Sequence, residues 1–389
     1  MNLKSLHIIF FILSFGSAVS GQNTRIGLFY DQLVESFVFH CMEGSYSIIG
    51  DGQIIGNLDA GQLLYINLEE GKIILRDGLD ITSGFSHVEF SDPSMKSEFS
   101  LKLVIPSLLP QNYEGELEVN IRHGMFQLVN KLEFDHYLAG VVETEGGPAA
   151  GEEYFKAQAV LCRTYAVKNW ERHIEEGFNL CDDVHCQAYK GKNDENPAIL
   201  QAVYSTHDIV VADFSYKLIT AAYHSNSGGQ TQKADGFWPG KHEYLLSILD
   251  PFSETGRNFS WKDSIDWNVW KEYFRSRGVK LKETDTTKLL IRQPHRKEYM
   301  VLGEDTIRLA DIRTDFNLRS AFFDARLEGN RIVLDGRGYG HGVGMSQEGA
   351  MEMAEEGYTY RDILNYYFNN IRIYDLNDLP FNSVPEIFR

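Results

Sequence analysis

From residue 22 to about residue 130, apolar residues come only in short runs, and turn-forming residues break each run before it reaches helical length. Runs at 24–30, 46–49, 63–68 and 72–75 are separated by Gly, Asp and Asn, the punctuation of strands joined by tight turns. Residues 116–121 and 125–132 alternate around His123-Gly124, which predicts a hairpin. The period then changes. Over 152–172, Phe155, Ala159, Cys162 and Ala166 recur at spacings of three and four, one face of an amphipathic helix. A further helix is expected over 346–356, with Ser346 as N-cap and Gly357 just past its end. Thr359 followed by Asp362 predicts a capping box for the next helix. Residues 218–224 and 331–335 read as strands. Over 251–285, Trp261, Trp267, Trp270 and Tyr273 sit in a charged stretch, which is either a small helical insert or a segment lining a cleft. The fold class is therefore α+β: a β-rich N-terminal region over 21–115, a mixed α/β part over 116–375 and a tail over 376–389, with a soft boundary at 115.

The first twenty residues read as a signal peptide. Lys4 supplies the positive start, residues 6–15 the apolar run, and Ala18-Val19-Ser20 a small-x-small cleavage pattern before Gly21. The alternative is a membrane anchor, but the run is shorter than the roughly 20 residues of a span. No later segment is apolar enough to cross, so the expectation is an exported chain, periplasmic or extracellular. Formal net charge is -18, which disfavours phosphate backbones and excludes nucleic acid as an expected partner. Four cysteines, Cys41, Cys162, Cys181 and Cys186, are too few for a disulfide-built scaffold.

Six blocks then narrow the reading. Residues 137–145, YLAGVVETE, resemble the opening motif YLxGVVxxE of the stage II sporulation protein D family. Residues 156–166 resemble its KAQAVxxRTYA helix, and 186–191, CQAYKG, its CQxYxG turn. Residues 223–231 resemble its HSxSGGxT segment, and 336–350, GRGYGHGVGMSQEGA, its C-terminal signature, with 363–367 similar to the helix beyond. The blocks keep the family's order. One departure stands out: the family places Met-Pro directly after the glutamate, where this chain has Gly146-Gly147-Pro148.

The resemblance implies a peptidoglycan lytic transglycosylase with an open substrate groove in its mixed α/β catalytic part. Breaking a glycosidic bond needs an acid to protonate the leaving oxygen. By motif position that acid is Glu145; it would then help deprotonate the 6-hydroxyl of muramic acid, which closes a 1,6-anhydro ring. Glu143 is the second candidate: it shares the face of Glu145 only if the segment is extended. Arg163 and His341 are the expected catalytic assistants. Lys156 and Arg163, seven apart, project from nearly the same side of a helix. Their alternative is an ordinary solvated face. Gln158, Tyr165, Tyr189, His224, Ser225, Ser227, Gly340, Gly342, Ser346 and Gln347 are the expected substrate-binding set. Gln158 and Tyr165 could equally be packing residues, and Ser346 suits a cap better than a nucleophile. Trp261, Trp267 and Trp270 either stack on sugars or anchor a small helix.

His173, Cys181, His185 and Cys186 are residue types that suit a tetrahedral structural zinc, and the resemblance implies such a site. The rival is a Cys181–Cys186 disulfide; no metal is required for the chemistry. Expected partners are peptidoglycan glycan strands, including strands stripped of stem peptides, and a cell-wall amidase. The competing function is a non-catalytic glycan-binding module that enhances such an amidase. A zinc amidase fits less well, because there is no HExxH motif and a catalytic zinc needs an open position.

Overall fold

The structure, a computed structural model, describes residues 23–78, 80–234, 242–280, 285–380 and 382–388. The expected signal peptide lies outside them. Among the described residues no helix is long and apolar enough to cross a membrane.

The alternating runs of the N-terminal part pair into two sheets. The seven-stranded sheet has the order Leu180–Cys181, Asn23–Leu28, Met125–Glu133, Glu116–Arg122, His87–Ser91, Ser45–Gly50, Gln53–Asp59. The six-stranded sheet runs Gln111–Glu114, Glu98–Ile105, Ser36–Glu43, Leu63–Glu69, Lys72–Asp77, Asp80–Phe85. Inward-facing rings join the two: Phe39 of one sheet stacks on Phe90 of the other at 4.0 Å, with Tyr46, Phe99 and Tyr113 around them. The predicted hairpin forms as expected, with Arg122 opposite Met125. Its two strands bond to His87–Ser91 on one side and Asn23–Leu28 on the other. The boundary expected at 115 therefore falls within a shared sheet, and the two parts share one hydrophobic core.

Seven helices are described: α1 Phe134–Gly146, α2 Glu152–Lys168, α3 Pro197–Ser205, α4 Trp267–Ser276, α5 Leu309–Asp315, α6 Gln347–Glu355 and α7 Tyr360–Tyr367. Helix α2 ends at 168, four residues short of the expected 172, where the Asn169 side chain takes over the Tyr165 carbonyl. Ser346 caps α6 by accepting from the Gly349 N–H, and Thr359 and Asp362 form the predicted box at α7. The strand expected over 218–224 shrinks to Tyr223–His224, paired in parallel with Met345–Ser346. The tail is docked: Phe388 packs 4.7 Å from Trp170 and 5.4 Å from Phe134.

Residues 260–337 make a second, smaller unit with its own core. Its sheet pairs Ser260–Asp266 with Arg331–Arg337 and that strand with Phe323–Glu328. Trp261 and Trp270 are buried here, donating to Ser320 Oγ at 3.1 Å and the Leu289 carbonyl at 3.0 Å. These two tryptophans hold the insert together and are not available to stack on sugars.

Candidate active site and metal-binding cluster

The YLAGVVETE stretch folds as α1, and that decides the fate of its two glutamates. Residues two apart on a helix point in nearly opposite directions. The Glu143 carboxylate turns away and accepts from the N–H groups of Asp194 (3.0 Å), Glu195 (3.1 Å) and Asn196 (3.1 Å) and from the Asn193 side chain. It is saturated and structural. Glu145, in the last turn, is half-buried and lines a cleft of about 670 Å³. Its Oε1 accepts from the Ala188 N–H at 2.9 Å, and the Tyr223 hydroxyl also bonds the carboxylate. Burial raises the Glu145 pKa above the usual carboxylate range, although both of those donors favour the ionised form. A half-buried acid with a raised pKa is what general acid chemistry near neutrality needs.

Three consecutive side chains of α1 accept from one segment: Glu143 from 194–196, Thr144 from the Lys190 N–H at 3.3 Å, and Glu145 from Ala188. The segment thereby fixes the last turn. Gly146 closes it, because a Cβ there would lie 2.4 Å from the Tyr154 hydroxyl. The Gly146-Gly147-Pro148 departure lines the cleft beside the acid.

Of the expected site residues, Ser225 and Gln347 join Glu145 in the cleft, and Gln347 Nε2 bonds the Glu145 carbonyl at 2.9 Å. The others stand elsewhere. Arg163 is 1% exposed, bonded to the Thr206 and Val203 carbonyls and to Asp135 at 3.2 Å. Asp135 is ten residues back along α1, about 15 Å from Glu145 along the axis. Arg163 is thus a core cation that ties α1 to α3, not an assistant of the acid. Lys156 pairs with Glu152 and Glu153 at the start of α2. Gln158 is fully buried, donating to Cys162 Sγ and accepting from the Tyr154 hydroxyl, each at 3.5 Å. Tyr189 is fully buried between Tyr113 and Tyr137. Tyr165 bonds the His185 carbonyl at 3.3 Å and receives Arg172 at 2.8 Å, so it braces the Cys/His cluster. Ser227 is fully buried on Asp250, and Ser346 spends its hydroxyl as a cap.

His341 is not in the cleft lining. The two-residue strand Tyr223–His224 separates them: Tyr223 reaches Glu145, whereas His224 points the other way, toward Gly340 and His341. His341 accepts from the Val343 N–H at Nδ1 (3.0 Å) and bonds the Tyr223 carbonyl through its other nitrogen. Burial and the nearby Arg313 and Arg296 push its pKa down to about 4.

Sequence reasoning missed Glu348, which lines the cleft from α6 and is held by Asn226 Nδ2 (2.7 Å) and Asn258 Nδ2 (2.6 Å). It also missed Glu352, which accepts from Thr255 at 2.7 Å, and Arg257. The signal for Glu348 was its place two residues after the Ser346 cap, in the same motif as Gln347.

His173, Cys181, His185 and Cys186 converge, with one donor atom from each lying within 4.8 Å of the others. Cys186 Sγ is 3.5 Å from His173 Nε2 and 3.9 Å from His185 Nδ1, and Cys181 Sγ is 3.7 Å from the latter. Tetrahedral zinc with Zn–S near 2.3 Å and Zn–N near 2.05 Å has S···N edges of about 3.6 Å. The donor set fits. Glu176 bonds His173 Nδ1 at 2.6 Å, orienting the ring as metal-site carboxylates do. Both thiols are unpaired.

An α+β chain with a half-buried glutamate at a helix end, held by the segment that follows a Cys2His2 cluster, defines the class. Comparison with known proteins gives the family. The family model described as stage II sporulation protein matches residues 122–212. Stage II sporulation protein D of Bacillus subtilis is 30% identical over 264 residues, which is 64% of this chain and 76% of that protein. An uncharacterised protein of Brachyspira hyodysenteriae is 28% identical over 281 residues, 71% of this chain and 76% of that protein. The amidase enhancer of Bacillus subtilis is 25% identical over 284 residues, 59% of this chain and 39% of that protein. The chain belongs to the stage II sporulation protein D family.

Proposed function

We propose that this chain is a cell-wall enzyme, a lytic transglycosylase that cleaves peptidoglycan glycan strands. The observation that carries the reading is Glu145: a carboxyl with a raised pKa, set in a cleft and oriented by a backbone N–H and a tyrosine hydroxyl. Protonated Glu145 gives its proton to the glycosidic oxygen. The resulting carboxylate takes the proton of the muramic 6-hydroxyl as that oxygen closes on the anomeric carbon. Tyr223 and Ala188 stabilise the carboxylate between the two transfers. A role at the wall needs export, for which residues 1–20 carry the sequence pattern. Membership of the family supports the wall as the site of action, and the likeness to an amidase enhancer supports a second reading, a glycan-binding partner of an amidase.

The deciding experiment is mass spectrometry of glycan strands digested by the purified chain, both intact and stripped of stem peptides. The first reading expects 1,6-anhydro ends, absent with Glu145→Gln. No new ends, together with stimulation of an added amidase, selects the second reading.

We propose further that the Cys/His cluster holds one structural zinc. The four donors all come from protein, which leaves no position for substrate. Metal analysis is expected to find about one zinc per chain, and chelation to lower the melting temperature. A metal-free chain of unchanged melting temperature with a Cys181–Cys186 disulfide would refute it.

A further inference from the structure

A second wall of the cleft is built on a carboxylate that the chemistry of Glu145 does not use. Glu348 leaves the first turn of α6, and its side chain is 12% exposed. Its Oε2 accepts from Asn226 Nδ2 at 2.7 Å and from the Asn258 N–H at 3.1 Å, and its Oε1 from Asn258 Nδ2 at 2.6 Å. The segment 255–258 is thereby folded over the carboxylate. Gly256 allows the close approach: a Cβ there would stand 2.2 Å from Glu348 Oε2 and 2.6 Å from Asn226 Nδ2. Asn258 Nδ2 also reaches Ser225 Oγ at 3.2 Å, and the Glu348 N–H donates to the Ser225 carbonyl at 3.0 Å. One side chain thus joins α6, the 255–258 turn and Ser225, and all three line the cleft.

The turn so held presents Arg257. Its side chain is 91% exposed, stands 3.7 Å from Glu348 Oε1 and donates a hydrogen bond to no described residue. An exposed pair at that length adds little to stability. The N–H donors of the guanidinium are therefore open to a ligand, and Arg257 is the one cation among the described residues that line the cleft. The sign of its surroundings selects that ligand. Glu348, Glu352 and Glu355 leave one face of α6 at spacings of four and three, and Glu352 accepts from Thr255, two residues from Arg257. Three carboxylates beside one cation repel an anion. The group that suits Arg257 is a neutral oxygen acceptor, which a glycan strand offers in its acetamido carbonyls and hydroxyls.

We propose that Arg257 grips the glycan strand through a neutral sugar oxygen, and that Glu348 is the positioning residue that holds Arg257 in the cleft. Glu145 acts on the bond from the end of α1, and the 255–258 turn keeps the strand in place from the second wall. This rests on the reading that the cleft takes peptidoglycan glycan, and it separates the wall that binds from the acid that cleaves.

The test is calorimetric titration of purified glycan strands into the full chain carrying Glu145→Gln, so that binding is read without cleavage and a failure of the cleavage reading stays separable from a failure of this one. Arg257→Ala on that background is expected to weaken binding about tenfold, the worth of one hydrogen bond from a charged donor. Glu348→Ala is expected to weaken it as much, and to add little once Arg257 is already Ala, because it acts through that residue. Glu348→Gln, which keeps one acceptor oxygen, is expected to fall between. In the chain with Glu145 restored, Glu348→Ala is expected to raise KM by more than it lowers kcat, which a loss of folded protein would not do. The Arg257→Ala loss is expected to persist at high salt, which screens a pair of charges far more than a bond to a neutral oxygen. Strands that do not bind the background chain, or bind it equally well after Arg257→Ala, overturn the proposal. Losses that multiply in the double variant overturn the positioning role of Glu348. A loss that disappears at high salt would mean an anion on Arg257 and overturn the neutral partner.

Discussion

The two sides of the Tyr223–His224 strand differ in the sign of the side chains they collect. The cleft side collects carboxylates: Glu145, Glu348, Glu352 and Glu355, with the largely exposed Arg257 as the cation in the lining. The glycine-loop side collects Arg296, Arg313, His224 and His341. One strand two residues long stands between an acid-bearing cleft and a cluster of basic side chains. Alternation along a strand is enough to do this, since successive side chains leave by opposite faces. A short polar block such as Tyr223-His224-Ser225 therefore serves both sides at once and cannot be assigned whole to either.

The largest effect that tests this division is on the cleft side. Glu145→Gln is expected to cut glycan cleavage by about 10²–10⁴-fold, the usual worth of a positioned acid. Thermal melting should stay near that of the parent chain. Arg163, the cation that motif position assigned to the acid, belongs to neither side. Arg163→Met is expected to leave cleavage per folded molecule unchanged and to destabilise by about 3–5 kcal/mol, because the buried Asp135 keeps only His207 and the Thr206 and Val203 carbonyls lose the guanidinium. A rate loss at full stability would return Arg163 to the site.

The two sides should also respond to pH with opposite sign. The Glu145 pKa is raised in the fold and its protonated form does the work, so cleavage should fall as pH rises through that pKa. The His341 pKa is lowered from 6.5 to about 4 by burial and by Arg313 and Arg296, with His224 facing it. Its contribution to stability is present above about 6.5 and is lost as pH falls through about 4, on the order of 3 kcal/mol. Denaturant melts of the parent chain and His341→Gln over that window should diverge, with the parent steeper; parallel curves would remove His341 as the source. The smallest effect expected is that of Glu143→Gln, a loss of about 1–2 kcal/mol, because the single amide oxygen keeps the bonds from Glu195 and Asn196 without the charge while the NH2 in place of Oε2 cannot accept from the Asp194 N–H, with cleavage largely kept.

Much of the fold was legible because its signals are local. The hairpin at His123-Gly124, the Ser346 cap and the Thr359–Asp362 box each rest on a few adjacent residues, and each formed. Helix α1 showed no apolar stripe because its run from Tyr137 to Val142 is buried on every side, so there was no period to read. Its helical state is what sends Glu143 and Glu145 apart. The Cys/His cluster was legible from residue types one to thirteen positions apart, and the structure brings those donors together. Arg163 was legible as a motif residue but not as a core one, since its partner Asp135 lies 28 positions away. The basic cluster was invisible for the same reason: Arg296, from the small unit, meets the glycine loop at Gly342, 46 positions away.

That small unit enters and leaves the main body at one point. Ser260 and Arg337, its first and last strand residues, are paired, and Gly338 N–H bonds the Phe259 carbonyl at 2.8 Å. An insertion with touching ends is a cassette: it can be exchanged for a short turn without stretching the host on either side. A chain that made the exchange would lose Arg296 and Arg313 and keep Glu145, Tyr223 and the Cys/His cluster. Such an exchange would leave the cleft and the metal-binding cluster with the host, so the small unit can vary without touching either.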